Sequence, residues 1–300
     1  MRRDRRLQRR ITSYAVAALC VLCVAFALIP LGSILYAAFD RGLPALNVGL
    51  LTTSGPPAVI CPAGAACPSG GINNAIIGTA LLVGLAALVA FPVGALTGIY
   101  LSEYGDNRIG RSVRFFVNVM SGIPSIVVGI VVFSLMVYLA EANVIESRYI
   151  FSTAAGSLAL GLIMVPVVAR TTDESLRLVP TAVREAALAL GIRRYRTILR
   201  VVFPAAGSGV LTGALLATAR AAGETAPLLM TAFGNTFGFQ GLNRPVAALP
   251  LVIYYYGISG IPRYETIAWG SALLLVLAML LTSLAARYAF ARTRARSSPA

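Results

Sequence analysis

The 300-residue sequence contains no histidine and no lysine, and both absences exclude chemistry. Without an imidazole there is no Ser-His-Asp catalysis, no histidine zinc site and no imidazole proton relay. Without lysine there is no G-x-x-x-x-G-K-[ST] phosphate loop. The chain is therefore not an ATPase of that type, and any transport work it does must draw energy from elsewhere. Charge is also scarce, at 12% of residues against about 25% in a soluble domain. What charge there is lies on one side: 11 acidic residues against 25 basic ones, all Arg, for a net +14. With 58% hydrophobic residues and a mean hydropathy of +0.81, this is the composition of a polytopic membrane protein.

Long apolar runs are what the chain has in place of charge. A spanning helix needs about 20 residues, because the hydrocarbon core is ~30 Å thick and each residue rises about 1.5 Å. Six runs qualify: 11–39, 72–101, 115–140, 149–169, 207–233 and 266–290. They predict an all-α fold with six transmembrane helices. The first run follows six Arg and so mimics a signal peptide. It is longer than an h-region of roughly 7–15 residues and no A-x-A-like site follows it, so a retained first helix is expected.

Arginine placement orients these spans. With the N-terminus inside, twenty Arg fall on inner segments and four, Arg41, Arg148, Arg244 and Arg263, on outer ones. The expectation is a multi-pass protein of the plasma membrane with both termini cytoplasmic. It divides into an Arg-rich N-terminus (1–10), one transmembrane domain (11–290) and a short tail (291–300). The positive charge is then a topology signal and a contact with anionic lipid heads of the bilayer, not a nucleic-acid surface. Neither a separate soluble domain nor an internal repeat is visible.

Two outer loops are long. Residues 40–71 are rich in Gly and Pro and include Cys61 and Cys67, which either form a disulfide in an oxidising exterior or remain free thiols. Cys20 and Cys23 form a C-x-x-C inside the first apolar run, where buried Cys behaves as a small hydrophobe; no metal site is expected. The second outer loop, 234–265, holds an apolar stretch at 245–258 too short to span. With Tyr254, Tyr255 and Tyr256 it reads as interfacial or re-entrant.

The longest inner loop, 170–203, carries a short helical stretch at 182–190. Thr181 is positioned to cap its first turn and Gly191 to close it in the left-handed conformation. Val183, Ala186, Ala187 and Leu190 fall on one side as an apolar stripe. A helix this short is marginal alone, so either lipid or another subunit covers the stripe.

Span five carries two charges, Arg220 near its midpoint and Glu224 one turn on. A charge at mid-depth costs roughly 2.5–3.5 kcal/mol on insertion scales, so both must face protein or water. At i and i+4 they can pair, and Pro227 leaves the carbonyl of Gly223 without its donor, which makes Gly223 and Pro227 a candidate hinge. The pair either fixes span packing or forms a pathway site, since the Arg fork suits phosphate or carboxylate oxygens.

These segments carry a family resemblance. Glu185-Ala186-Ala187, three residues, Gly191, nine residues, Val201, one residue, Phe203-Pro204 is similar to the EAA loop of binding-protein-dependent ABC importer permeases, with Val201 and Phe203 as apolar replacements in its Ile-x-Leu-Pro end. The stretch Arg220-Ala221-Ala222-Gly223-Glu224-Thr225-Ala226-Pro227-Leu228-Leu229 resembles the R-A-x-G-E-T-A-P-L segment of A-type permeases of phosphate-specific (Pst) importers. Tyr100-Leu101-Ser102-Glu103-Tyr104, the stretch 122–129 and the stretch 248–254 agree with it, and together the motifs cover about residues 72–290.

The resemblance implies a type I (MetI-like) architecture and a channel subunit rather than an enzyme. It implies that loop 170–206 couples to a separate ATPase, with Ala186 and Ala187 packing closely, Glu185 making a polar contact and Gly191 ending the helix. Arg220, Glu224, Thr225 and Ser125 would line the substrate pathway. The alternative readings are that Pro124 only kinks span three, that Ser125 only bonds its own backbone, and that Glu103 is only a solvated helix end. The implied partners are a C-type permease, two copies of an ATP-binding subunit, an external phosphate-binding protein and phosphate. No cofactor is expected on this chain, ATP and Mg belonging to the ATPase. A permease for sulfate, molybdate or another small solute, a proton-coupled transporter using Glu224, and a purely structural membrane protein are the alternatives.

Overall fold

The structure is a computed structural model; it describes residues 2–58, 70–236 and 238–296, with side chains described for 12–58, 70–236 and 238–288. Cys61 and Cys67 lie outside the described residues.

The expected all-α architecture is present. In chain order the helices are α1 (Arg2–Gly42), α2 (Val48–Thr52), α3 (Asn73–Tyr104), α4 (Arg108–Gly122), α5 (Ser125–Glu141), α6 (Thr153–Arg177), α7 (Thr181–Ala189), α8 (Arg194–Thr197), α9 (Phe203–Ala205), α10 (Gly207–Gly223), α11 (Ala226–Thr231), α12 (Leu249–Gly257) and α13 (Pro262–Arg296). A π-helical turn, Ile198–Val202, joins α8 to α9. Among the described residues, β pairing is limited to a two-residue antiparallel pairing of β1 (Ser54–Gly55) with β2 (Gly71–Ile72) at the base of the first long loop and an isolated bridge between Phe233 and Val246.

Four helices are long and apolar enough to cross a membrane, within α1, α3, α6 and α13; two bent pairs make six if each pair is one span. The pairs correct two of the expected continuous runs. The run 115–140 breaks between α4 and α5 with a 105° bend, where Ile123 and Pro124 are extended (ψ 131° and 134°). Pro124 has no N–H to continue the ladder and disfavours helical geometry at Ile123. The run 207–233 bends by 70° at its start, between the α8–α9 segment and α10, and breaks again after Gly223.

The centre of the chain is α3 packed on α6. In lipid, apolar burial drives helices together only weakly and close van der Waals contact takes over. Accordingly Gly78, Leu82, Ala86, Ala90, Gly94 and Gly98 form a buried stripe of period four along α3. A Cβ on Gly94 would sit 2.7 Å from the Val168 Cβ, and one on Gly98 2.5 Å from the Thr172 Cβ. On α10, Gly209 and Gly213 allow the same approach to Ser175 and Thr171 of α6. The helix α1 stands apart: from Thr12 to Tyr36 its residues are exposed, including Cys20 and Cys23 with free thiols. It is fastened at its C-terminal end, where Gly42 meets Leu273 and Trp269 and Arg41 lies 5.2 Å over the Trp269 ring.

Candidate translocation and coupling sites

Arg220 lies in the last turn of α10, where the helix dipole favours a cation. Ala217 and Ala221 on the opposite face are buried in the core, while Ser208, Thr212, Leu216 and Arg220 form an exposed stripe. The helix stops at Gly223. Glu224 is extended (ψ 120°) and α11 restarts at Ala226, with Pro227 in its first turn. Even with Glu224 outside the helix, Arg220 Nε donates to its Oε1 at 3.4 Å. The Arg side chain is 49% exposed and the Glu side chain 16%. The Arg220 end of the ion pair is therefore open while Glu224 is largely covered by its own chain, at the break expected from Gly223 and Pro227.

Span three is seated against this break. A Cβ on Gly129 would lie 2.6 Å from the Pro227 Cα, so α5 reaches the α10–α11 junction backbone to backbone. Half-buried Thr225 belongs to the junction itself. Ser125 opens α5 one turn before Gly129, and among the described residues no hydrogen bond joins it to Arg220 or Glu224. The structure thus brings together Arg220, Glu224, Gly223, Thr225 and Pro227, and adds Gly129.

The inner-loop helix spans Thr181–Ala189, and Gly191 takes the expected left-handed conformation (φ +77°). The expected cap does not form: Pro180 occupies the N-cap position, and Thr181 is already helical. Of the apolar stripe, Ala187 is buried, whereas Val183, Ala186 and Leu190 are exposed, Leu190 at 80%. Glu185 also points outward. The helix presents an apolar ridge with an acid beside it and nothing from its own chain across it.

What holds this helix was not legible beforehand. Arg184 is half-buried; its Nε donates to Glu103 Oε1 at 3.1 Å, Nη1 to the Val179 carbonyl at 2.5 Å and Nη2 to the Leu176 carbonyl at 2.7 Å. Glu103 is therefore not a solvated end: its side chain is 8% exposed. Arg194 Nη2 donates to the Glu103 carbonyl at 2.6 Å, and its guanidinium lies 4.5 Å over the Tyr104 ring. Arg114 and Arg177 both donate to the Leu101 carbonyl, and Asp173 accepts from Arg177 at 2.8 Å. Four arginines thus gather on the C-terminal end of α3, where unpaired carbonyls and the negative dipole end favour them. The Asp173–Arg177 spacing was a readable signal; the long-range contacts of Arg184 were not.

At the other end of α6, Thr153 and Ala154 amides donate to the Arg244 and Leu242 carbonyls. The second long loop folds over that end and, with Gly55, Gly71 and Asn74, lines an open cleft of about 480 Å³. Asn74, Phe233, Gln240, Arg244, Tyr255 and Tyr256 are in its wall, with Arg244 the one charged residue there. Phe233 is left-handed (φ +60°), a strained conformation for a bulky side chain. Burial, and secondarily the charge of Tyr264, pushes the Tyr256 phenol above its ordinary 10.0.

A mostly helical fold with two bent helix pairs, a short helix left uncovered among the described residues and an ion pair at an interrupted span is that of a membrane transport component. The chain belongs to the family of binding-protein-dependent transport system inner membrane components, matched over residues 90–296. Among its relatives, the phosphate transport system permease protein PstA of Haemophilus influenzae is 42% identical over 258 residues, covering 86% of each chain. PstA of Yersinia pestis is 38% identical, covering 98% of this chain and 95% of its own. In fold, the chain is similar to a bacterial ABC transporter involved in alginate import (TM-score 0.60, 15% identity, covering 96% and 99%). It is also similar to the MetNI methionine ABC transporter in an inward-facing conformation (TM-score 0.56, 20% identity, covering 73% and 94%).

Proposed function

We propose that this chain is the permease subunit of an ATP-driven importer of inorganic phosphate and forms half of its translocation pathway. The observation that carries the reading is the Arg220–Glu224 pair at the interrupted span, with the Arg220 side chain half-exposed and Glu224 largely covered behind it. The likeness to the PstA permeases supports phosphate as the anion.

Arg220 offers a planar fork of donors to phosphate oxygens. An arriving anion competes with Glu224 for the Arg220 fork, so the guanidinium has an anionic partner whether the site is empty or occupied. Glu224 then accepts a hydrogen bond from the P–OH of a protonated phosphate, a donor that a fully ionised sulfate lacks. The hydroxyls of Thr225 and Ser125 add polar groups to a path where a bare anion is costly. The cleft with Arg244 is the outer mouth of this path, and the face bearing α7 is cytoplasmic, with both termini on that side.

The second half of the pathway is a C-type permease, and an external phosphate-binding protein delivers the anion. Two ATP-binding subunits hold ATP and Mg²⁺ and receive α7 through Ala186, Ala187 and Glu185, with Gly191 ending the helix. This chain supplies no cofactor site. ATP binding closes the ATPase pair, draws the coupling helices together and turns the path from inward- to outward-facing.

The test is Arg220→Gln in the complete importer, with phosphate uptake measured at matched protein levels. Losing a charge-assisted bond of about 1.5–3 kcal/mol lowers uptake roughly tenfold or more; near-normal uptake overturns the reading. Binding of phosphate against sulfate by the external protein separates phosphate from another oxyanion.

A further inference from the structure

The loop that carries α7 is joined to α10 by the chain, but its side chains are joined elsewhere. The covalent route from α7 to α10 passes through α8, a π-helical turn, α9 and a 70° bend, and π-helical turns are rare interruptions of a helix that concentrate at functional sites. The side-chain route is tighter. The three donors of Arg184 reach a carboxylate at the end of α3, one carbonyl in the last turn of α6 and one just beyond it. Ten residues on, Arg194 grips the same end of α3 through the Glu103 carbonyl and the Tyr104 ring. The loop is thus pinned from within α7 and again from α8 to the same end of α3.

Arg184 and Glu185 are neighbours on α7, yet they face opposite ways. Glu185 is exposed on the open surface, and Arg184 is turned into the permease with its side chain 20% exposed. Beyond Arg184, movement has little slack to disappear into. The helices α3 and α6 touch through Gly94 and Gly98, and α6 and α10 through Gly209 and Gly213, at distances that leave no room for a methyl group. Close-packed contacts of this kind transmit displacement rather than absorbing it. Arg220 lies at the far end of α10.

We propose that Arg184 is the positioning residue that makes α3 and α6 follow the coupling helix, so that α7 moves Arg220 through lateral packing rather than along the chain. The inference rests on the coupling role of α7 proposed above. A planar guanidinium is suited to it, because one rigid group holds two helices at once; the ammonium of a lysine is a point donor and cannot do so with the same geometry.

The experiment uses the complete importer in proteoliposomes and reads phosphate moved per ATP hydrolysed, with retention of the ATP-binding subunit measured alongside. Arg184→Ala keeps that subunit bound and keeps hydrolysis within about twofold, while phosphate per ATP falls roughly tenfold; Arg184→Lys recovers part of the ratio. An unchanged ratio in Arg184→Ala overturns the inference, as does loss of uptake in step with loss of the ATP-binding subunit. If Arg184→Ala does not accumulate, Arg184→Lys and Glu103→Gln carry the same ratio test, and unchanged ratios overturn it. Absence of ATP-driven phosphate uptake in the unmodified complex overturns the function itself, a result distinct from normal uptake with insensitive Arg184 variants.

Discussion

Gly129→Ala tests whether the seat of α5 against the broken span sets the geometry of the ion pair. The added Cβ would lie 2.6 Å from the Pro227 Cα and 3.0 Å from its carbonyl oxygen. Both are backbone atoms and cannot swing aside as a side chain can. Carbon atoms settle at about 3.5–4.0 Å, so α5 and the α10–α11 junction must part by about 1 Å. Overpacking of this kind costs about 1–3 kcal/mol. The greater effect is on position, because Pro227 is three residues from Glu224 and an error of about 1 Å at a functional centre can cost ~100-fold. Phosphate uptake by Gly129→Ala is expected to fall roughly 10- to 100-fold with Arg220 and Glu224 chemically intact. The control lies in the same stretch: a Cβ on Gly122 meets nothing within 4 Å, so Gly122→Ala leaves uptake unchanged. Uptake in proteoliposomes and thermal unfolding in mild detergent give both readings. Wild-type uptake and Tm in Gly129→Ala, or an equal loss in Gly122→Ala, refute the argument.

Two further substitutions probe other joints. Thr79 Oγ1 is buried and accepts the Leu249 amide at 2.8 Å, fixing the first turn of α12 to α3; Thr79→Val leaves that amide unpaired and destabilises the protein by about 1–3 kcal/mol. Thr79→Ser stays near wild type, and equal Tm values for Val and wild type would contradict the role. Leu190→Ala removes an exposed apolar group at the end of α7, so folding stability changes by no more than about 0.5 kcal/mol. Association with the ATP-binding subunit weakens by about 1–2 kcal/mol, as for an interface anchor, and unchanged affinity in a binding titration rejects the docking surface.

Much of the architecture was legible because membrane burial is written in one dimension. Runs of apolar residues, arginines at one set of ends and Pro or Gly at breaks are local signals. They located the α7 helix, the left-handed Gly191 and the interruption at Gly223 and Pro227. The pair Arg220–Glu224 was readable from its spacing. Thr181 failed as a cap because Pro180, with its φ of −57° and ψ of 141°, already occupies the position that turns the chain into the helix. Span three failed as one helix because a proline within an apolar run leaves hydropathy unchanged while removing a donor and restricting its neighbour.

Contacts between distant segments have no such local trace. Glu103 at the end of a span is, in one dimension, a solvated acid; only its 81-residue pairing with Arg184 makes it structural. The period-four stripe from Gly78 to Gly98 emerged only as the buried face of α3 against α6. By itself the sequence determined that this chain is a multi-span helical membrane protein, where its charges are scarce, and which short motifs interrupt its helices. Tertiary structure alone decided that α3 and α6 form the centre, that Gly129 seats the broken span and that the arginines of the inner loop converge on one helix end. The reason is physical: burial in lipid depends on composition along the chain, whereas small-residue packing and ion pairing depend on which surfaces meet.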